Sequence, residues 1–215
     1  NTPGRNARAV AEFAVGLILA ETRNIARTHA AMMEHVWLKD FPNGEDIPEL
    51  EGRTVGIVGA GAIGQLVMKF LTGMDATCVF YDPYCRSSPW GTKVEDLADL
   101  VAASDVLSIH SRLSADTHHL IDRDLLARMK PSAILVNTAR SGLVDEEALL
   151  DCLEAGRIMG AAIDTFDREP LPADSRWLTL RNVTITSHLA GSTKDAFRKT
   201  PRMLSKRILT ALEEG

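Results

Sequence analysis

The sequence is poor in cysteine, in aromatic residues (5 %) and in surplus charge, and it has no long apolar run. Its three cysteines, Cys78, Cys85 and Cys152, form no C-x-x-C pair and stand at no His-paired spacing. An odd number of scattered thiols argues against a disulfide scaffold or a zinc site and fits a reducing compartment. His29, His35, His118 and His119 stand apart from Cys or carboxylate partners at metal spacing, so no metal is expected. Lys and Arg number 24 against 29 Asp and Glu, a formal net charge of −5. That balance lacks the basic footprint of a nucleic-acid binder and the polybasic segment of a peripheral membrane protein. The longest apolar stretch, Phe13 to Ala20, falls far short of the ~20 residues that cross a bilayer. No signal peptide is visible, and a cytoplasmic location is expected. What is present is an ordinary globular balance, 45 % hydrophobic and 25 % charged over 215 residues. That is enough for a buried core and one large domain.

Residues from about Asn6 to Trp37 show helical periodicity, with Val10, Phe13, Ala14, Leu17 and Ile18 apolar and Arg5, Arg8, Glu12, Arg23 and Arg27 polar. Trp37 is expected to pack the end of that helix. Phe41 to Gly52, with Pro42, Gly44 and Pro48, reads as a loop. Beyond it, strands are expected over 54–58, 77–81, 105–109, 133–137, 158–163 and 183–186. Helices are expected over 62–71, 94–103, 122–129, 145–155 and 193–213. Near-continuous apolar strands alternating with helices imply an α/β fold, a parallel sheet covered on both faces.

Gly59-Ala60-Gly61-Ala62-Ile63-Gly64 is a G-x-G-x-x-G that follows an expected strand and opens an expected helix. In that context Gly59 permits the tight turn, Gly61 lets the backbone approach a pyrophosphate, and Gly64 lets the helix pack on the strand. The helix start at Ala62 and Ile63 offers unpaired N–H groups to phosphates. The second strand ends in Asp82, 18 residues after Gly64. A carboxylate there accepts ribose hydroxyls and repels a 2′-phosphate, which favours NAD over NADP. A short-chain dehydrogenase would need Tyr-x-x-x-Lys, and Tyr81 and Tyr84 are followed at that spacing by Cys85 and Ser88.

Three more strand ends carry polar residues, and in an open parallel sheet those ends line the ligand crevice. Val136-Asn137-Thr138-Ala139 leads to Arg140, whose planar fork suits a carboxylate or a carbonyl; a surface Arg capping the loop is the plainer reading. The strand to Ile163 ends in Asp164, placed to receive a nicotinamide amide, with Glu169 before Pro170; a solvated acidic loop is its plainer reading. The strand to Thr186 runs into Ser187-His188, and a His beside a coenzyme is a candidate general acid and base. A Glu169–His188 contact would orient the ring and favour its protonated form.

In order and spacing, Gly59 to Gly64, Asp82, Val136 to Arg140, Ala162 to Asp164, Glu169-Pro170 and His188 resemble the D-isomer-specific 2-hydroxyacid dehydrogenases. Asn6 to Glu12 and Ser141 to Leu149 resemble them too, and the stretch from His188 to Thr193 leans towards the 3-phosphoglycerate dehydrogenase-like branch. The resemblance implies a Rossmann-type doubly wound sheet in which Arg140 binds the substrate carboxylate and carbonyl, His188 gives and takes the proton, Glu169 supports His188 and Asp164 holds the nicotinamide amide. It sets Thr138 and Ala139 beside the coenzyme and Asn6 facing the active site. It further implies NAD as cofactor, a small 2-hydroxy or 2-keto acid as substrate, and a homodimer. The expected layout is an N-terminal crossover and dimerisation segment over 1–50, the NAD-binding unit over 51–192 and a returning helix over 193–215. On this reading the substrate domain is largely absent, and the 215 residues alone would bind NAD but turn over poorly. A non-catalytic NAD-sensing module of the co-repressor type is the alternative. Three departures from the family pattern bear on loop geometry and substrate preference. They are Ser141 for the usual Gly, Ser187 for the usual Pro, and Ser111-Arg112-Leu113 for the usual x-Pro-Leu.

Overall fold

The structure, a computed structural model, describes residues 4–39, 41, 49–198, 201 and 205. The strands are β1 (Thr54–Val58), β2 (Thr77–Tyr81), β3 (Thr92–Lys93), β4 (Val106–Ile109), β5 (Ile134–Asn137), β6 (Gly160–Ile163) and β7 (Val183–Ile185). They form one seven-stranded sheet in the order β3-β2-β1-β4-β5-β6-β7, parallel throughout. The chain leaves β1 towards β2 on one side and returns to β4 on the other. At such a switch point the connections diverge and leave a crevice beyond the strand ends.

Every residue of β4, β5 and β6 is buried, because helices cover both faces. Ile134 and Val136 of β5 pack with Ala14 and Ile18 of α1 (Ala7–Thr22) and Val67 and Leu71 of α3 (Ala62–Thr72). Leu135 points the other way, into a second core with α4 (Leu97–Ala103), α5 (Arg123–Leu126) and α6 (Glu146–Glu154). The period-two alternation of side chains thus feeds two cores from one strand. Carboxylate caps set the starts of these short helices. Asp96 accepts the amides of Ala98 and Asp99, Asp122 that of Leu125, and Asp145 that of Ala148. The helix expected from Val94 therefore begins at Leu97, after its cap.

Other expectations need correction. β3 is two residues long and polar, too short for an apolar pattern to mark. The single N-terminal helix is two, α1 and α2 (Ile25–Met33), divided at Asn24, whose φ of 54° lies in the left-handed region that Asn tolerates. The break serves a buried charge pair. Glu21, fully buried, accepts from Arg27 and, at 2.7 Å, from Thr184 of β7. Its burial pushes the carboxyl pKa up against the opposing pull of Arg27. Trp37, expected to pack the helix end, is 75 % exposed. Of the helix expected over 193–213, Thr193 is not helical while residues 194–198, 201 and 205 are; the rest, like residues 1–3 and 42–48, lies outside the described residues.

Candidate active site

β1 delivers the chain into the glycine loop. Gly59 takes φ 96°, and its N–H donates to the Tyr81 carbonyl. Gly64 sits where a Cβ would run into the Gly59 carbonyl, so the α3 start is held against β1. Gly61, the N-cap of α3, supplies no side-chain cap, and the first turn carries no acid. A Cβ on Gly61 would meet no protein atom within 4 Å. The loop therefore presents open space and uncapped amides at a positive helix end, the physical requirements of a diphosphate cradle. Asp82 lies beside it, with Oδ2 accepting from Ala60 N at 2.8 Å and Oδ1 from Tyr84 N and Cys85 N at 2.8 and 3.0 Å.

A cleft of about 510 Å³ opens at the ends of β1, β4 and β5, lined by Asn6, Ile63, His110, Arg112, Thr138 and Arg140 among others. Among the described residues no Asp or Glu lines it. The Arg140 loop is braced by Asn137, whose Nδ2 donates to the Arg140 carbonyl at 2.9 Å and whose Oδ1 accepts from Ala139 N at 3.0 Å. Arg140 Nη1 donates to the Ala139 carbonyl at 2.6 Å. Thr138 Oγ1 and His110 Nδ1 are buried without a hydrogen-bond partner. Buried polar atoms are rarely left so, and both belong to residues of this cleft. His110, which the sequence analysis does not single out, also ends an apolar strand. Its Nε2 meets Ser108 Oγ at 2.9 Å, and burial pulls its pKa down to about 4.

The second chemical group sits at the β6 and β7 ends. His188 Nδ1 lies 2.8 Å from Glu169 Oε2, and Glu169 Oε1 accepts from Phe166 N at 2.9 Å. Burial alone would raise the Glu169 pKa. The hydrogen bonds from His188 and Phe166, with the fields of His188 and Arg140, outweigh burial and hold the carboxyl below its usual range. His188 has φ 55°, a strained backbone for a non-glycine residue. Asp164 explains how that loop is held. It is fully buried, accepts from Thr186 Oγ1 and Leu189 N on Oδ1, and from Ala190 N on Oδ2 at 2.9 Å. With three protein donors on a fully buried carboxylate, Asp164 braces the His188 loop. Asn6 lies against the same loop, since a Cβ on Gly191 would come 2.6 Å from Asn6 Nδ2. It spans from there to the Arg140 cleft. Ser187 is exposed, and Ser141 opens a short 3₁₀ turn.

A sheet with a glycine loop at its switch point and an Arg and a Glu–His pair at neighbouring strand ends defines a dinucleotide-dependent class of enzyme fold. Residues 15–190 match the family described as D-isomer specific 2-hydroxyacid dehydrogenase, NAD binding domain, and the chain belongs to that family. It is 39 % identical over 215 residues to a D-3-phosphoglycerate dehydrogenase of Mycobacterium tuberculosis, covering 99 % of this chain and 40 % of that protein. A hydroxypyruvate reductase of Thermotoga maritima is 39 % identical over 215 residues, covering 99 % of this chain and 69 % of its own length. Among solved structures, an acyclic imino acid reductase in complex with NADPH and D-Arg superposes with a TM-score of 0.90 at 29 % identity, covering 100 % of this chain and 68 % of that one. The chain thus spans well under half the length of its mycobacterial relative.

Proposed function

We propose that these residues form the coenzyme domain of an NAD-dependent D-2-hydroxyacid dehydrogenase that interconverts a small 2-keto acid and its D-2-hydroxy acid. The observation that carries the reading is the Glu169–His188 pair at 2.8 Å after β6 and β7, in the same parallel sheet whose β1 runs into the open Gly61 cradle. Gly59, Gly61, Ala62, Ile63 and Gly64 would hold the diphosphate, Asp82 the adenine ribose, and Thr138 and Ala139 the part of the coenzyme in the cleft. When bound, the nicotinamide coenzyme supplies the two-electron reduction of the carbonyl. Arg140 orients the substrate carboxylate and polarises the carbonyl oxygen with its fork of N–H donors. The His188 ring, fixed through Nδ1 by Glu169, leaves Nε2 to donate the proton to that oxygen and to remove it in the reverse direction. Asn6 positions the substrate between the two groups.

Asp82 favours NAD, since its carboxylate repels the 2′-phosphate of NADP. We assign the protein to the cytoplasm on its free thiols; among the described residues no helix is long and apolar enough to cross a membrane. A homodimer is proposed from α2, which buries none of its residues and with the segment after it exposes Ile25, Met32, Met33, Val36 and Trp37. The relatives' names, a dehydrogenase and reductases, support an enzyme over a co-repressor-type sensor. Oxidation of NADH and NADPH by the intact gene product against a panel of 2-keto acids tests the proposal. Turnover with NADH on at least one of them is expected, and none with either coenzyme contradicts it.

A further inference from the structure

The glycine loop meets a diphosphate with amides alone, since no residue from Gly59 to Gly64 is charged. The helix end contributes a partial positive charge of roughly one half, against two charges on the ligand. The cation to complete that site stands on the neighbouring strand end. The chain after β4 is pressed onto the loop so closely that a Cβ on Gly59 would lie 2.7 Å from Ser111 N and 2.9 Å from the His110 carbonyl carbon. The next residue is Arg112. It lines the same cleft as Ile63, from the first turn of α3, and as Thr138, whose buried hydroxyl lacks a partner. Thr117 Oγ1 donates to the Arg112 carbonyl at 2.7 Å and fixes its backbone. Among the described residues its guanidinium makes no ion pair, and no acid lines the cleft to take it up. Arg140, the other guanidinium lining that cleft, is tethered to the Ala139 carbonyl.

We propose that Arg112 is a coenzyme-binding residue whose guanidinium pairs with the diphosphate oxygens that the glycine loop cradles. This rests on the coenzyme-domain reading above. Arg112 is exposed, so its replacement leaves the fold intact. Calorimetric titration of the intact protein with NADH, with ADP-ribose and with adenosine, in wild type, Arg112→Ala and Arg112→Lys, tests it. A lost charge-assisted contact weakens binding roughly 10- to 100-fold. Arg112→Ala is expected to lose that much affinity for NADH and ADP-ribose, less so at high salt, with adenosine affinity unchanged and Arg112→Lys recovering part of the loss. Equal ADP-ribose affinity in wild type and Arg112→Ala overturns the proposal. So does a raised KM for the keto acid with ADP-ribose affinity unchanged, which would give Arg112 to the substrate. Wild-type protein that binds neither NADH nor ADP-ribose removes the coenzyme reading itself, and the proposal with it.

Discussion

The two loops that present charged side chains are held by opposite means. The Arg140 loop is braced by a neutral amide, Asn137, which both donates to and accepts from its backbone. The His188 loop is braced by an ionisable group, Asp164, which only accepts, and His188 itself pairs with a second carboxylate, Glu169. A guanidinium stays charged across the working pH range, so its loop needs only shape. An imidazole changes charge near neutrality, so the groups around it set both its position and its proton. On the roles proposed above, the difference separates substrate orientation, insensitive to pH, from proton transfer, which is pH-dependent.

The largest expected effect follows from removing the proposed proton donor. His188→Ala in the intact protein should lower keto-acid turnover by about 10²- to 10⁴-fold, with the NADH dissociation constant little changed; steady-state rates beside a binding titration read both. Next come the braces. Asp164→Asn turns an acceptor of three donors into a group with its own N–H bonds and strands buried amides, which costs about 1–3 kcal/mol for each donor left unpaired. Asn137→Ala should cost ~1 kcal/mol and slow turnover less. Urea denaturation orders the two, and a larger loss for Asn137→Ala would reverse the comparison.

Much of this arrangement was legible in the sequence. Buried parallel strands are continuous apolar runs, and polar residues just past each run lie at the crevice: Asp82 and Asp164 directly follow β2 and β6, and Arg140 and His188 come a few residues after β5 and β7. What was hidden depended on packing from elsewhere. Glu21 and Arg27 have the spacing of a solvated helix face, yet β7 closes over them through Thr184. Asp164 has the position of a ligand contact, and only the fold of residues 186–190 back onto it shows its carboxylate to be a brace. Asn24 lies in a helical pattern that its left-handed backbone interrupts. His110 ends a strand as His188 does, but it is half-buried and its Nε2 meets the Ser108 hydroxyl where His188 meets a carboxylate.

Two smaller effects of pH sharpen the contrast between the loops. Glu169→Gln removes the carboxylate that meets His188 Nδ1 at 2.8 Å, and the pH profile of reduction should change; an unchanged profile would uncouple Glu169 from the chemistry. In the wild type the Glu169 carboxyl is held below its usual range. The pair therefore survives mild acid and is lost as pH falls through that lowered pKa. His110 has a folded pKa of about 4 against 6.5 unfolded. The unfolded chain then binds the extra proton between those values, and stability declines as pH drops from 6.5 towards 4. Denaturation curves of a His110→Gln variant should lack that segment of the pH dependence.

The central claim is that the space before Gly61 belongs to a dinucleotide. Gly61 has an extended backbone that any residue can adopt, φ −75° and ψ −161°, and no protein atom occupies the place of its Cβ. Calorimetric titration of NADH into wild type and Gly61→Val is the direct measurement. Wild type should bind one NADH per chain, while Gly61→Val should melt at the wild-type temperature and bind none. Wild-type affinity in a well-folded Gly61→Val protein would contradict the account.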